Sequence, residues 1–269
     1  MPSRNTVILT VYNRPELMLL NTMVGLKKND LKDTEILMVD DGSTVDYTDL
    51  RETFEGMEIP FRWERCSTLE AKPEAYNIEG HNNPAWVNNR AVEMTDSENI
   101  FFLSSDTIIP PNAMNSASLW DLDKTVYSAR VIDMDSGVEW CGMSRTFLAN
   151  WFIGVSRKLF ERVGRFDEKF LEGMAFEDTD FTGRAIIDTG KAVIDCGTLA
   201  LHQSHERIAY SDGMDGYVRS QEYVRAKWGG QAPWDSKDEP LNIACTAVGD
   251  KCIIKPRPRA FVLDKLRAA

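Results

Sequence analysis

Three carboxylates stand within four positions of the segment AFEDTDFTGRA, residues 175–185: Glu177, Asp178 and Asp180. Phenylalanines adjoin them, and phenylalanine favours burial. Partial burial raises the pKa of a carboxyl group toward the range that suits a general base. An acid in the first turn of a helix also stabilises the helix dipole, by roughly 0.3–1 kcal/mol. That structural role explains Glu177 or Asp180, and it leaves a candidate catalytic base among the three acids.

Acids also follow two short apolar segments that have the composition of buried strands. Asp40 and Asp41 lie near the end of EILMVDDGS, residues 35–43, and Asp106 ends NIFFLSSD, residues 99–106. A turn explains one Asp at each place, because Asp bonds its own backbone in turns. Two acids in a row are more than a turn needs, and one could accept a hydrogen bond from a base or a ribose hydroxyl. Asp106 is a candidate ligand for a divalent cation, which would offset the charge of a diphosphate.

His202 and His205 are two of the three histidines and follow the apolar segment KAVIDCG, residues 191–197. A histidine after a strand is more often a structural residue than a metal ligand. A site that already holds Asp106 and a cation would reverse that preference. The sequence has neither of the common glycine-rich phosphate loops, G-x-G-x-x-G and G-x-x-x-x-G-K-[ST], so a cation is the expected substitute.

The elements that position these residues alternate along the first half of the chain. The segments NTVILTVY, residues 5–12, and EILMVDDGS are short apolar strands, separated by a helix with Pro15 in its first turn. We expect Leu17, Leu20 and Val24 to form one buried face of that helix. A strand, a helix and a strand in this order predict a parallel sheet with a right-handed crossover. In such sheets, ligands collect at the carboxyl ends of the strands.

The same pattern continues along the chain. Strands are predicted at 61–66 and 99–106, with a helix over 84–95 between them. The second half is less regular, and its predicted elements are a strand and a short helix within 151–167 (Ser156 as N-cap, Gly164 just past the end), a helix from about Asp178 to Gly190, a strand at 191–197 and a helix over 215–230. No internal repeat or low-complexity linker occurs, so two tightly joined halves are expected.

Composition bounds the class of protein. The 269 residues are 43% hydrophobic, enough to bury the core of one large domain or two interlocked halves. The net charge of −11 argues against broad nucleic-acid binding, which needs a basic surface. Residues 251–269 differ, because they hold six Lys or Arg and one Asp. This basic tail either docks on the acidic body or contacts a phosphate-bearing or anionic partner.

The five cysteines, Cys66, Cys141, Cys196, Cys245 and Cys252, form no C-x-x-C pair. Their odd number fits a reducing compartment, and their spacing gives no zinc motif. No apolar run reaches the ~18–20 residues that span a bilayer, and the polar N-terminus MPSRN is not typical of a signal peptide. These features predict a soluble, cytoplasmic protein with no transmembrane segment.

Six segments, taken in order, resemble the family 2 inverting glycosyltransferases of the GT-A fold. They are VILTVYNRPELMLLNTMVGL, EILMVDDGST, NNRAVE, FFLSSDTIIPP, WFIGVSRKLFERVGRFDEKF and FEDTDFTGRA, and they span roughly residues 6–205. The resemblance implies an α/β fold, a Rossmann-like nucleotide-binding αβα sandwich with a mixed, mainly parallel sheet. It also implies metal-assisted transfer of a sugar from a nucleotide-sugar donor, in first place a UDP-sugar, to an acceptor hydroxyl.

The resemblance assigns roles to single positions. The implied nucleotide-binding residues are Thr10, Tyr12, Arg14, Asp41 and Asn89, with Asp41 on the base. Asp106 matches the last acid of the D-x-D motif, which holds Mn²⁺ or Mg²⁺ on the diphosphate, and His202 is where some members add a metal ligand. Asp178 matches the general base that deprotonates the acceptor. Ser104 replaces the first D-x-D acid, so binding of the ion without nucleotide should be weak.

The acceptor is not identified by the sequence. Trp140 and Trp151 lie in the region that should line the acceptor pocket, where Glu177 and Asp180 would orient the base, cap the helix or meet acceptor hydroxyls. Aromatic faces suit sugar rings, although a tryptophan pair is equally common in a core. A polysaccharide, a lipid-linked sugar, a protein hydroxyl and a modified nucleobase all stay open as acceptors, as does the oligomeric state.

The expected organisation has three parts. Residues 1–110 would form the nucleotide-sugar-binding half, 111–230 the acceptor-binding and catalytic half, and 231–269 a C-terminal extension with the basic tail. One rival function is a non-catalytic nucleotide or sugar-binding module of the same fold, which Ser104 favours and the intact FEDTDF disfavours. A second rival is a nucleotidyltransferase, which normally shows a glycine-rich basic loop after the first strand, and TVYNRP lacks those glycines.

Overall fold

A mixed sheet of 11 strands forms the centre of the fold. The structure is a computed structural model, and it describes residues 4–67, 84–142, 148–172, 175–205, 215–228, 244–248 and 251–255. The strands are β1 (Asn5–Val11), β2 (Thr34–Asp40), β3 (Phe61–Arg65), β4 (Asn99–Leu103), β5 (Thr107–Ile108), β6 (Val126–Asp133), β7 (Glu139–Cys141), β8 (Phe152–Ser156), β9 (Ala192–His202), β10 (Ala244–Val248) and β11 (Lys251–Lys255). The helices are α1 (Glu16–Lys27), α2 (Thr48–Glu55), α3 (Ala85–Glu93), α4 (Ala113–Ser118), α5 (Arg157–Arg162), α6 (Glu177–Thr189) and α7 (Asp215–Lys227), with a 3₁₀ helix at Glu168–Glu172.

The first half of the chain builds the parallel part of the sheet. β3, β2, β1 and β4 lie side by side in that order, and their pairings are parallel. Val7, Ile8 and Leu9 of β1 are fully buried, as a strand covered on both faces requires. β1 lies between β2 and β4, so the crossovers leave it in opposite directions. Ligands bind at such switch points, outside the carboxyl ends of the strands.

The second half completes the sheet with mixed pairings. β8 joins β4 to β6 through antiparallel pairs, and β6 then pairs in parallel with β9. His202, at the end of β9, is in register with Thr107 of β5 and with Asp133 of β6. This register brings the end of β9 beside the end of β4. The predicted α/β class with a mixed sheet is confirmed.

The buried face of α1 differs from the predicted one. Leu17 and Val24 are 68% and 38% exposed, and Leu20 is half-buried. The buried residues of α1 are Met18, Leu19, Thr22, Met23, Gly25 and Leu26. Gly25 lies so close to β5 that a Cβ there would stand 2.9 Å from Ile108 Cγ2. Apolar residues occupy both faces of this helix, so the close approach to β5, rather than periodicity, selects the buried face.

The helices of the second half follow the sequence prediction. Ser156 caps α5, since its hydroxyl accepts a hydrogen bond from the Leu159 N–H at 2.9 Å. Gly164, after α5, has φ +87°, and Gly190, at the end of α6, has φ +66°. Both values lie in the left-handed region that glycine adopts readily. The start and end of α6 agree with the predicted span to within one residue.

The C-terminal strands extend the sheet beyond β9. β11 pairs antiparallel with β9, and β10 pairs antiparallel with β11. The basic tail begins in β11, and its residues 256–269 lie outside the described ranges. The division into three parts stays a prediction, although one sheet runs through all of them. Among the helices described, none combines the length and apolarity that crossing a bilayer demands.

Candidate active site

A cavity of about 490 Å³ lies at the carboxyl ends of β1, β2 and β4. The residues predicted from the sequence that line it are Thr10, Tyr12, Arg14, Asp41, Trp140, Trp151, Glu177, Asp178 and His202. Asp106 is buried behind this lining and contacts Arg14 and His205, which both line the cavity. Among the described residues, Asn89 and Asp180 do not belong to the lining. The structure therefore brings most of the predicted site to one place.

The loop after β1 is fastened to the loop after β2. Asn13 has φ +48°, a left-handed conformation that Asn tolerates, and its Oδ1 accepts from the Thr44 N–H at 2.8 Å. The Tyr47 hydroxyl donates to the Arg14 carbonyl oxygen at 2.6 Å. These bonds fix the backbone from which the Arg14 side chain reaches Asp106.

The two adjacent acids after β2 take different positions. Asp40 Oδ1 accepts from the Ser43 N–H at 2.8 Å, and its Oδ2 lies 3.3 Å from Arg65 Nη1. Asp40 therefore forms the turn that the sequence predicts. Asp41 is buried and lines the cavity. The turn thus accounts for one acid and leaves the other at the place where a nucleotide base is expected.

Asp106 is the centre of a charged cluster. Its Oδ2 lies 3.0 Å from Arg14 Nη2 and 3.0 Å from His205 Nε2, and its Oδ1 accepts from the Ser104 hydroxyl at 2.6 Å. Burial disfavours the carboxylate, but the hydrogen bond with His205 and the charges of Arg14 and His202 outweigh it. The hydrogen bond with His205 and the charge of Arg14 are the main causes, and they hold the pKa of Asp106 well below its usual range. Ser104 thus supports the remaining acid by a hydrogen bond and adds no second charge.

His202 is oriented by a second carboxylate. Its Nδ1 lies 3.1 Å from Asp133 Oδ2, and its Nε2 lies 3.7 Å from Asp106 Oδ1. Burial opposes ionisation of Asp133, yet hydrogen bonds from Ser136, Ser204 and His202 hold its pKa well below the usual range. An ionised Asp133 accepts the hydrogen of Nδ1, which leaves the Nε2 lone pair for a cation. Carboxylates orient metal-binding histidines in this way.

Asp106, His202 and His205 offer three ligand atoms that lie within 4.8 Å of one another. His205 Nε2 is 2.8 Å from Arg14 Nη1 as well as 3.0 Å from Asp106 Oδ2. A ring nitrogen carries either a hydrogen or a lone pair, so it cannot serve both neighbours. A cation would use the carboxylate oxygen and the nitrogen lone pair together. Two imidazoles and one carboxylate suit a transition metal better than Mg²⁺, which prefers oxygen ligands.

Asp178 lies in the first turn of α6. Its Oδ1 accepts from the Thr179 N–H at 2.6 Å, and its Oδ2 accepts from the Asn150 N–H at 3.4 Å. Burial raises the pKa of Asp178 above the ordinary 3.8, and these hydrogen bonds offset only part of the increase. A raised pKa makes the carboxylate a stronger base. Ala175 and Phe176, just before the helix, have φ +62° and +70°, which is unfavourable for residues other than glycine.

The other two acids of the FEDTDF segment differ from each other. Glu177 is buried and lines the cavity. Asp180 is fully buried and lies 2.8 Å from Arg184 Nη2 and 2.9 Å from Lys227 Nζ. It also accepts from Trp228 Nε1 at 2.9 Å. Asp180 therefore ties α6 to α7 and the residue after it, and its predicted contact with an acceptor stays a prediction.

Asn89 connects two parts of the fold. Its Nδ2 donates to the Phe166 carbonyl oxygen at 3.0 Å and to Glu168 Oε1 at 2.9 Å, and its Oδ1 accepts from the Phe166 N–H at 3.1 Å. These bonds join α3 to Phe166 and to the first residue of the 3₁₀ helix. Its neighbour Asn88 is the one that lines the cavity. The predicted contact of Asn89 with the nucleotide therefore stays a prediction.

Two tryptophans form an aromatic wall of the cavity. The ring centroids of Trp140 and Trp151 are 5.1 Å apart, and the Trp140 ring lies 4.1 Å from the His202 ring. Both tryptophans are half-buried and line the cavity. The pair therefore joins the histidine cluster to the open space of the site, and Trp151 also packs against the hydrophobic core.

Comparisons with known proteins agree with this architecture. Residues 6–125 match the family described as Glycosyl transferase family 2. Residues 6–125 carry a glycosyl transferase family 2 domain. The family predicted from the six sequence segments is thereby confirmed. No curated protein matches the sequence of the chain.

Solved structures share the fold of this family 2 domain. The 1–349 segment of S. aureus TarS, in complex with UDP-GlcNAc, aligns at a TM-score of 0.60 and 16% identity, covering 77% of this chain and 61% of that one. GalNAc-T7 with UDP, GalNAc and Mn²⁺ aligns at 0.65 and 12%, covering 85% and 49%. The mannosyltransferase PcManGT of Pyrobaculum calidifontis, with GDP-Man and Mn²⁺, aligns at 0.58 and 15%, covering 87% and 66%. The likeness establishes the GT-A fold, and the chain spans less than two thirds of each of these relatives.

Three residues of the cavity lining, His205, Asp133 and Asn150, have no role in the family resemblance. The sequence offers His205 together with His202 as a conditional metal ligand, but only the structure brings it to Asp106. Asp133 and Asn150 had no such signal, because their partners His202 and Asp178 lie 69 and 28 positions away. Such contacts arise from the sheet register and from packing around α6. Local patterns in a single sequence do not show which distant residues the fold brings into contact.

Proposed function

We propose that the chain is an inverting glycosyltransferase that moves a sugar from a nucleoside-diphosphate sugar, in first place a UDP-sugar, to an acceptor hydroxyl. One observation carries this proposal. A carboxylate with a raised pKa, Asp178, lines the same cavity as the Asp106, His202 and His205 cluster. A base for the acceptor and a cation site for the leaving diphosphate are the two groups that such a displacement needs.

The donor would bind over the ends of β1 and β2. Thr10 and Tyr12 line the cavity there with Asp41, whose carboxylate would accept a hydrogen bond from the base. Structures with the same fold are solved with UDP-GlcNAc, with UDP and with GDP-Man, which supports a nucleotide in this place. The choice of uracil over guanine rests on the family resemblance and is part of the proposal.

The cluster around Asp106 would hold the cofactor, with Mn²⁺ ahead of Mg²⁺. Asp106, His202 and His205 would be its protein ligands, and Asp133 would orient His202. A bound cation stabilises the charge that develops on the departing diphosphate. Mn²⁺ is present in the GalNAc-T7 and PcManGT complexes, which supports this choice.

Arg14 would have a different partner once the donor is bound. Its guanidinium now pairs with Asp106 and contacts His205, the same atoms that a cation would use. A diphosphate offers a bidentate acceptor that suits a guanidinium better than a shared carboxylate does. Arg14 would therefore move to the diphosphate as the cation takes its place. Metal and nucleotide should then bind cooperatively, and metal alone only weakly.

Asp178 would take the proton from the acceptor hydroxyl as its oxygen attacks the anomeric carbon. The bond from that oxygen to the anomeric carbon forms while the bond to the diphosphate oxygen breaks, so the configuration inverts. The hydrogen bonds from Thr179 and Asn150 hold the carboxylate in one orientation. Glu177, buried beside it, would position the acceptor or the base.

The test is release of nucleoside diphosphate from a panel of UDP- and GDP-sugars in Mn²⁺, with and without EDTA. Release from one donor, abolished by Asp178→Asn and by EDTA, would support the proposal and name the donor. Binding of UDP without release from any donor, even with candidate acceptors added, would instead support a non-catalytic binding module. Absence of binding would remove the donor site itself from the proposal. The predicted cytoplasmic location stays a prediction that localisation in cells can check.

A further inference from the structure

Asn150 has an unusual position in the cavity lining. It precedes Trp151 and β8, and its backbone N–H donates to Asp178 Oδ2 at 3.4 Å. Its side-chain Nδ2 and Oδ1 are both buried, and neither has a hydrogen-bond partner in the part of the chain that the structure describes. Buried amide groups are almost always paired. Both atoms of this side chain therefore require an explanation.

The unpaired amide costs stability, because its two polar atoms have lost water without gaining a protein partner. A leucine of similar shape would avoid that cost at the same position. Sequences depart from such local rules mainly at functional sites. Asn150 lies at one, since it lines the cavity and its own backbone binds the carboxylate of Asp178. A ligand that forms hydrogen bonds with the Asn150 amide would supply the partners that its two polar atoms lack among the described residues.

The chemistry of the surroundings selects the ligand. An amide presents one acceptor and one donor side by side, and two neighbouring sugar hydroxyls present a donor and an acceptor at matching spacing. Trp151 adjoins Asn150 in the chain, and its ring lies 5.1 Å from that of Trp140. Such faces accept the apolar side of a sugar ring. A serine or threonine side chain would bring one hydroxyl to Asp178 but no ring for the tryptophans.

We infer that Asn150 binds the acceptor, and that the acceptor is a saccharide with two neighbouring hydroxyls, held between the Asn150 amide and the Trp140–Trp151 wall. This inference rests on the proposed function and adds the acceptor class to it. The sugar ring lies against the tryptophans, its hydroxyl pair meets the amide once the Asn150 side chain has turned toward the cavity, and a further hydroxyl reaches Asp178. Asn150 is then a specificity residue that also positions the base through its backbone.

The experiment replaces the amide by an apolar group of similar shape, Asn150→Leu, with Asn150→Ala as a smaller second variant. Asn115→Leu, at an exposed position of α4, is the matched control. Each protein is tested for UDP binding with Mn²⁺ and for donor hydrolysis without acceptor. Transfer is then measured to mono- and disaccharides and to a serine-containing peptide, and the midpoint of thermal unfolding is recorded.

We expect saccharides, and not the peptide, to accelerate diphosphate release. Asn150→Leu should raise the saccharide KM about tenfold, as loss of a hydrogen-bonded pair predicts, with UDP binding unchanged. Its melting temperature should equal or exceed that of the wild type, since the amide has no partner to lose among the described residues. The control should match the wild type in every measurement.

Three results would overturn the inference. The first is acceleration by the peptide alone, which would make the acceptor a protein hydroxyl. The second is an unchanged saccharide KM in both Asn150 variants. The third is a lower melting temperature accompanied by loss of UDP binding, which would make the amide a structural group. Failure of the wild-type chain to bind any nucleotide is a separate outcome, because it removes the proposed function and this inference with it.

Discussion

The two sides of the cavity surround their carboxylates with different groups. We call the side around Asp106 the donor side and the side around Asp178 the acceptor side, after the ligands proposed for them. On the donor side, Asp106 is bonded to Arg14, His205 and Ser104, and its pKa is lowered in spite of burial. On the acceptor side, burial raises the pKa of Asp178, because its hydrogen bonds come from uncharged groups. The surroundings of Asp106 stabilise its ionised form, whereas burial makes the ionised form of Asp178 less favourable.

Other features of the acceptor side share this character. The Asn150 amide has no partner among the described residues, and Phe176 enters α6 with φ +70°. Each departs from what stability alone would select. The donor side can hold its geometry before any ligand arrives. The acceptor side carries local costs that a bound acceptor, or the proton transfer itself, would offset.

The largest expected effect is on activity, in Asp178→Asn. Loss of a general base lowers the rate of transfer by roughly 10²–10⁴-fold, while UDP binding should stay within twofold because the proposed nucleotide contacts lie elsewhere in the cavity. The measurement is diphosphate release against donor concentration. Turnover equal to that of the wild type would remove Asp178 from the mechanism.

The same variant also tests the comparison through stability. A folded-state pKa that is raised above the unfolded value stabilises the protein at low pH, and that contribution is lost as the pH rises through the folded pKa. At pH 7 the ionised Asp178 therefore costs stability, so Asp178→Asn should melt no lower than the wild type. Any advantage should shrink as the pH falls toward 3.8. Asp180→Asn, two positions away, should melt lower, since Asp180 pairs with Arg184 and Lys227.

On the donor side, an Asp→Asn substitution should lower the stability of the protein instead of leaving it equal or higher. Asp106→Asn removes a buried charge from between Arg14 and His205, and breaking a buried ion pair costs about 3–5 kcal/mol. Chemical unfolding at pH 7 should show that loss, and Mn²⁺ binding in the presence of UDP should be abolished. A variant as stable as Asp178→Asn would contradict the contrast between the two sides.

The sequence predicts the frame of the fold well and part of the site. Strands and helices appear near their predicted bounds because short β-branched segments, the Ser156 cap and Gly190 act locally. Asp41 and Asp178 line one cavity and Asp106 lies behind that lining, because strand ends and a helix start are also local features. Only the structure distinguishes the two adjacent acids after β2: Asp40 forms the turn, and Asp41 lines the cavity.

The rest depends on contacts between distant segments. Adjacent residues on a helix differ by about 100° in direction, so the pair Asn88 and Asn89 has two possible phases, and packing against Phe166 selects one. Helix α1 offered two apolar faces, and Gly25 against β5 selected the one that was not predicted. Arg14 meets His205 across 191 positions. No local pattern contains these choices.

A smaller effect is expected at Arg14. Two like charges about 4–5 Å apart repel by roughly 3–4 kcal/mol at an effective dielectric of 20, and solvent reduces this. Arg14→Gln should therefore raise the affinity for Mn²⁺ without nucleotide by about tenfold, and it should lower the gain in Mn²⁺ affinity that UDP produces. Calorimetry or the spin signal of free Mn²⁺ measures both.

The matched control for Arg14 is Arg65→Gln. Arg65 also pairs with a buried acid, Asp40, but it is more exposed and does not line the cavity. The Arg65→Gln variant should bind Mn²⁺ with the same affinity as the wild type. If Arg14→Gln weakens Mn²⁺ binding in the absence of nucleotide, the guanidinium supports the metal site and does not compete with it.

The smallest expected effect concerns the two ends of α6, where the same backbone conformation is met by different residues. Ala175 has φ +62° just before the helix, and Gly190 has φ +66° at its end. A left-handed conformation costs a residue other than glycine about 1–2 kcal/mol, and glycine loses about 0.5–1 kcal/mol in return through chain entropy.

Ala175→Gly should therefore stabilise the protein by up to about 1 kcal/mol, and Gly190→Ala should destabilise it by a similar amount. Denaturant titration measures both. If strain before α6 helps to hold Asp178, Ala175→Gly should also lower kcat while donor KM stays constant, and Gly190→Ala should leave kcat unchanged. Equal kcat values in the two variants would make that strain a feature of the fold with no part in catalysis.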